Sequence, residues 1–175
     1  MTNLYSTLAE RFSSRLDATF LRIPGGGSLT YREVDQRSAR MATVLRDFGV
    51  GIGDRVVVQI DKSTDNVALY LACLRTGAVF LPLNTAYTPG EVGYFVDDAA
   101  PTLVIARPGT LDDLPTRVVH LDTDGTGSFA EASDAADAFD HVIERAPGDV
   151  AAMLYTSGTT GRSKGAMLTH ANLTS

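Results

Sequence analysis

Three short apolar runs, each set between segments of helical periodicity, predict an α/β fold with a mainly parallel sheet covered by helices on both faces. The runs are R-V-V-V-Q-I at 55–60, A-V-F-L-P-L at 78–83 and T-L-V-I-A at 102–106. Strands that are apolar without alternation are covered on both sides, as in a parallel sheet. A fourth apolar run, V-A-A-M-L-Y at 150–155, reads as another buried strand and leads into a segment rich in glycine and hydroxyl residues.

The elements follow in order. Residues 3–16 carry Leu4, Leu8, Phe12 and Leu16 at helical spacing, which predicts an amphipathic helix. Pro24, Gly25, Gly26 and Gly27 mark a turn. Thr30 then opens a helix as its N-cap, Glu33 completes a capping box, and Leu29 with Val34 forms a hydrophobic staple. The buried stripe of this helix is Val34, Ser38, Met41, Leu45 and Phe48, and Gly49 stops it. A helix over 66–75, ended by Gly77, joins the first two strands. Thr88-Pro89-Gly90-Glu91 starts the next helix, with an N-cap, a proline at the first helical position and a glutamate at the third. That helix runs through Tyr94, Phe95 and Val96 and stops before Pro101. A further strand is expected at 118–121. Residues 122–140 contain six acids and no Lys or Arg. Their spacing is not that of an EF-hand or an octahedral site, so they read as a solvated loop and a short surface helix. Thr169 is placed to cap one more helix.

Bulk properties bound the function. A chain of 175 residues is one domain or part of a larger one. With 44% hydrophobic residues it can build a core, and its net charge of −6 argues against nucleic acid or an anionic membrane as the main partner. Cys73 is the single cysteine, so no internal disulfide can form; it lies in an apolar helical run and reads as a buried thiol. No apolar run approaches the ~18 residues of a membrane span. The N-terminus lacks a basic region followed by an apolar core. These features predict a cytoplasmic protein.

The segment Y-T-S-G-T-T-G-R-S-K-G at 155–165 carries the most chemistry. Gly158 and Gly161 let the backbone bring several N–H groups to one anion. Thr156, Ser157, Thr159 and Thr160 add hydroxyl donors, and Lys164 adds a mobile point charge suited to phosphate. The arrangement reads as a loop for a polyphosphate, most simply that of ATP. It fits neither G-x-x-x-x-G-K-[ST] nor G-x-G-x-x-G. A polar turn after a buried strand is the plain alternative. Lys62, at a strand end, reads as a surface lysine. His120 and His141 read as structural, and His170, close behind the loop, as packing or capping before ligand contact.

The order T-S-G-T-T-G-x-x-K-G resembles the phosphate-loop signature of the adenylate-forming superfamily, which includes acyl-CoA synthetases, adenylation domains and luciferases. Three other stretches share the likeness: L-T-Y-R-E-V at 29–34, G-D-R-V at 53–56, and the string from Ala78 to Pro101. L-P-L-N-T-A-Y-T, with Y-F-x-x-D-A-x-P after it, is most similar to malonyl-CoA synthetases. So is T-T-G-R-S-K-G-A-M-L-T-H, where Ser163 stands in place of the proline of most superfamily members. The resemblance covers nearly the whole chain and is weakest over 108–147.

The resemblance implies the N-terminal part of the large, AMP-binding domain of such a ligase, spanning residues 1–175 and ending just after the phosphate loop. It implies ATP, Mg²⁺ and coenzyme A, and a small carboxylic acid, malonate or methylmalonate, as partners. By carry-over, Thr156, Ser157, Gly158, Thr159, Thr160 and Gly161 cradle the β- and γ-phosphates, Lys164 sits near the γ-phosphate, and Thr160 helps place Mg²⁺. The catalytic residues, the adenine pocket and the C-terminal domain are expected downstream of Ser175, so this chain alone is expected to be inactive. A final helix of about one turn, too short to hold itself, agrees with a truncated enzyme. Alternatives are an acyl-CoA synthetase for another short- or medium-chain acid, and a non-catalytic phosphate-binding remnant.

Overall fold

The computed structural model describes residues 3–156 and 163–175. A six-stranded sheet in the order β6-β5-β3-β4-β7-β8 organises it. The strands are β3 (Arg55–Gln59), β4 (Val79–Pro82), β5 (Leu103–Ala106), β6 (Val118–His120), β7 (Val150–Thr156) and β8 (Lys164–Thr169). All pairings are parallel except β7 with β8, which is antiparallel. The mainly parallel α/β sheet inferred from the apolar runs is therefore present.

The alternation of β3 shows how two faces are filled. Val56 and Val58 enter one core with α2 (Tyr31–Asp47), α3 (Thr64–Thr76) and α5 (Ser128–Ala135). Val57 enters the other, with α4 (Pro89–Ala99). The steps β3 to β4 and β4 to β5 run in opposite directions along the sheet, and one crossover hand then requires α3 and α4 on opposite faces.

The helix signals are met by local bonds. Thr30 accepts from the Glu33 N–H while Glu33 accepts from the Thr30 N–H, and Thr88 and Glu91 form the same box. Gly77 ends α3 in the left-handed region, φ 73°. Ala100 ends α4 at φ 43°, just before Pro101. Arg55 covers that helix end, donating from Nε to the Ala99 carbonyl and from Nη2 to the Ala100 carbonyl, both at 2.8 Å. Cys73 is fully buried.

Three expectations need correction, and the turn expected at Pro24–Gly27 is present with an unexpected strand on each side. The first helix, α1, spans Leu4–Phe12 and tightens into a 3-10 turn at Ser13–Arg15 before Leu16. The Pro24–Gly27 turn joins an antiparallel pair, β1 (Thr19–Arg22) and β2 (Ser28–Thr30), too short to show a pattern. Strand β7 is buried only at Ala151 and Ala152; Leu154 and Thr156 are exposed, because β8 at the sheet edge leaves this end half covered. Helix α5 is anchored, since Phe129 is fully buried in the core. Its acids otherwise face outward, as expected for that stretch.

Helix α1 docks over α3 and the start of the last strand pair. Asn3 caps it, accepting from the Tyr5 N–H at 2.8 Å. The same side chain donates to the Leu74 carbonyl at 2.8 Å and the Ile143 carbonyl at 2.7 Å. Arg75 lies over the Tyr5 ring and pairs with Asp35 at 2.6 Å.

Candidate phosphate-binding site

The phosphate-loop segment connects β7 to β8. Strands β3, β4 and β7 are parallel, so this connection leaves the same sheet end as the turns after β3 and β4. Ligands of open α/β sheets bind outside the carboxyl ends of the strands. Ser157, Gly158, Thr159, Thr160 and Gly161, five of the seven expected contacts, lie outside the described residues. Thr156 and Lys164 flank them and face each other as the last register pair of the hairpin. Both are exposed, and among the described residues Lys164 has no ion-pair partner. The geometry thus brings together the two ends of the expected cradle and leaves the lysine free to meet an anion.

Gly165 lies opposite Tyr155, and a Cβ there would stand 3.0 Å from Met153 Sδ and 3.6 Å from the Tyr155 ring. Those side chains occupy the space a larger residue would need. The Tyr155 ring also meets Phe95 of α4, centroids 4.5 Å apart, and its hydroxyl donates to Asp98 Oδ2 at 2.5 Å. Burial, and then this carboxylate, push the Tyr155 hydroxyl pKa well above the usual phenol value. Tyr94 donates to the Ser163 carbonyl at 3.3 Å. Sequence reasoning missed these α4 partners, since only a three-dimensional arrangement joins residues 57 and 69 positions apart.

Two open grooves adjoin the hairpin end of the sheet. One, of about 610 Å³, lies between the start of α4 and Ser163 and is lined by Tyr87, Thr88, Glu91, Tyr94 and Phe95. The other, of about 590 Å³, lies over the ends of β3 and β4. Asp61, Lys62, Asn66, Asn84 and Thr85 contribute to its walls, with Arg107 bridging Asp61 at 3.7 Å. Lys62 is exposed there, on the groove wall.

The histidines take no part in a nucleophilic or metal cluster among the described residues. His170 is buried, and its Nδ1 accepts from the Leu4 N–H at 3.0 Å, which leaves the proton on Nε2. Burial, then the Arg145 charge, lowers its pKa, against a smaller opposing effect of Asp149. It is a packing and capping residue. His120 stands 3.1 Å from Asp112, and His141 pairs with Asp140 on the surface.

A family profile described as AMP-binding enzyme matches residues 8–175. Among similar proteins, 3-hydroxybenzoate–CoA/4-hydroxybenzoate–CoA ligase of Thauera aromatica is 38% identical over 156 residues, which is 82% of this chain and 30% of that protein. Tyrocidine synthase 3 of Brevibacillus parabrevis is 33% identical over 97% of this chain and 2% of its own length. The crystal structure of ATP-bound MatB from Rhodopseudomonas palustris matches with a TM-score of 0.86 at 41% identity, covering 99% of this chain and 36% of that one. The chain spans only a minor part of each of these relatives. No helix among the described residues is long and apolar enough to cross a membrane. With the sheet order, the capped helices and a profile match over nearly its whole length, the chain belongs to the AMP-binding enzyme family.

Proposed function

We propose that residues 1–175 form the N-terminal part of an ATP-dependent acyl-CoA ligase that adenylates a small carboxylic acid, malonate or methylmalonate, and transfers it to coenzyme A. One observation carries the reading: a 41%-identical protein of the same fold has been solved with ATP bound. The choice of acid rests on the L-P-L-N-T-A-Y-T and T-T-G-R-S-K-G-A-M-L-T-H strings.

In the first half-reaction a carboxylate oxygen attacks the α-phosphorus of ATP. The bond from that phosphorus to the bridging oxygen breaks, and pyrophosphate leaves with the electron pair. In the second, the thiol sulfur of coenzyme A attacks the acyl carbon, AMP departs and the thiol proton passes to solvent. The role of this chain lies in the first step. Thr156, the hydroxyls and N–H groups of 157–161, and Lys164 hold the β- and γ-phosphates and stabilise the charge that grows on pyrophosphate. Mg²⁺ would neutralise part of the same charge when bound with the nucleotide. Its expected contact, Thr160, lies outside the described residues, and no group of three metal-capable side chains occurs among those described.

A second reading is favoured by the aryl-acid relative: the same chemistry on a hydroxybenzoate-type acid. ATP–pyrophosphate exchange by the product of the complete reading frame decides between them, with malonate, methylmalonate, acetate, a medium-chain acid and 4-hydroxybenzoate in parallel. Strongest exchange with malonate or methylmalonate supports the proposal. Strongest exchange with 4-hydroxybenzoate keeps the mechanism and overturns the acid. Silence with every acid from a folded protein leaves an acid outside this set or a non-catalytic phosphate-binding remnant. In an active enzyme, Lys164→Ala raises KM for ATP by about 10- to 100-fold, the worth of one charged hydrogen bond. An unchanged KM removes Lys164 from the site.

A further inference from the structure

Each end of the β7–β8 connection is tied to the same face of one helix. Asp98 accepts from the Tyr155 hydroxyl, one residue before Thr156, and Tyr94 donates to the carbonyl of Ser163, one residue before Lys164. Tyr94 and Asp98 are four positions apart on α4, so they present their side chains to the hairpin together. Between them Phe95 turns inward, 3% exposed, and its ring touches both Tyr155 and Tyr87.

The helix does not need Tyr94 and Asp98 to fold. Its buried face is Val92, Phe95, Val96 and Ala99. Its start is closed by the Thr88–Glu91 box and its end by Arg55. Both Tyr94 and Asp98 are exposed, and exposed hydrogen bonds contribute little to stability. What they do instead is set where the two flanks of segment 157–162 stand.

We propose that α4 is a strut for the phosphate-binding segment, with Tyr94 and Asp98 as positioning residues that hold its two flanks at the spacing ATP requires. This rests on the reading of 156–164 as the polyphosphate cradle. Displacing such a cradle by even a fraction of an ångström weakens catalysis without unfolding anything.

The test uses the complete protein and the variants Asp98→Ala, Asp98→Asn and Tyr94→Phe. Three readouts are taken: KM for ATP and for the acid in pyrophosphate exchange, tryptic cleavage after Arg162 followed by mass spectrometry, and Tm. Asp98→Ala and Tyr94→Phe are expected to raise KM for ATP by about 2- to 10-fold, the loss of one hydrogen bond, with KM for the acid unchanged. Cleavage after Arg162 accelerates by a similar factor, and Tm stays within about 2 °C. Asp98→Asn restores the parent behaviour, because an amide oxygen still accepts from Tyr155. The proposal is overturned by a parental KM for ATP in Asp98→Ala, by equal shifts for both substrates, or by Asp98→Asn failing like Asp98→Ala. If the parent shows no exchange with any acid, the functional reading fails separately. Cleavage then decides alone, faster in Asp98→Ala but not in Asp98→Asn upholding the strut, and any other pattern overturning it.

Discussion

Replacing Asn3 separates what a cap does locally from what it does across the fold. The Asn3 carboxamide caps α1 and donates to the carbonyls of Leu74 and Ile143, while being only 1% exposed. Asn3→Ala removes all three bonds. The Leu74 carbonyl keeps the Gly77 N–H at 3.2 Å, but the Tyr5 N–H and the Ile143 carbonyl lose this partner. With about 1 kcal/mol for the cap and about 1 kcal/mol for each long-range bond, the cost is about 3 kcal/mol. In a chain of this size that lowers Tm by about 6–12 °C. Asn3→Asp is the sharper variant. Helix statistics rank Asp and Asn as equal caps. Here a carboxylate would face two carbonyl oxygens with no proton to offer, so Asp costs more than Ala at pH 7. Folding would raise the pKa of that carboxyl. Its penalty is therefore full well above the folded pKa and shrinks as the pH falls and the group protonates. Urea denaturation followed by far-UV circular dichroism reads this, since the chain has no tryptophan. An Asn3→Asp protein within about 0.5 kcal/mol of the parent at pH 7 would refute the reasoning.

Three further outcomes are expected. His170 is held neutral, its pKa lowered by burial and Arg145. Its contribution is full above the unfolded value of about 6.5 and is lost as the pH falls through the folded pKa; denaturation at pH 7.5 and pH 5 should show that loss, and His170→Asn should flatten it. Gly127, at φ 108°, leaves 2.5 Å between a built Cβ and the His120 carbonyl oxygen, so Gly127→Ala should cost on the order of 3 kcal/mol, and a cost under 1 kcal/mol in the same assay would contradict the packing. Burial of the Cys73 thiol drives its pKa far up; Ellman's reagent should find no thiol in the native chain and one in denaturant, and rapid native labelling would show that α3 opens.

Features written within a few residues were legible in the sequence. The boxes at Thr30–Glu33 and Thr88–Glu91, the stop at Gly77 and the Thr169 cap are all contiguous signals met by local bonds. The parallel sheet was legible because the middle of β3 and all of β4 and β5 are apolar without alternation. Strand β8 was not, since K-G-A-M-L-T mixes exposed and covered positions and pairs only at the edge. Strands β1 and β2 were too short for a period to show. In the site, the motif names residues on the connection itself, whereas Asp98 and Tyr94 reach it from a helix whose own signals concern only its start and its core. Asn3 stands at the start of a stretch legible as a helix, but nothing near it announces Ile143.

The seating of α1 sets an order of events during synthesis. Helix α1 is made before the sheet it packs against, yet Leu4 N–H waits for His170, 166 residues later, and Asn3 waits for Ile143. At about 5–20 residues per second that interval is roughly 8–33 s on a ribosome. Meanwhile β3, α3, β4, α4 and β5 find their partners close by in the chain. Tyr5 and Phe12 meet Arg75 and Tyr31 early, so the seating of α1 closes in two stages, and the side around Leu4 stays unsealed until Ala151 and His170 arrive.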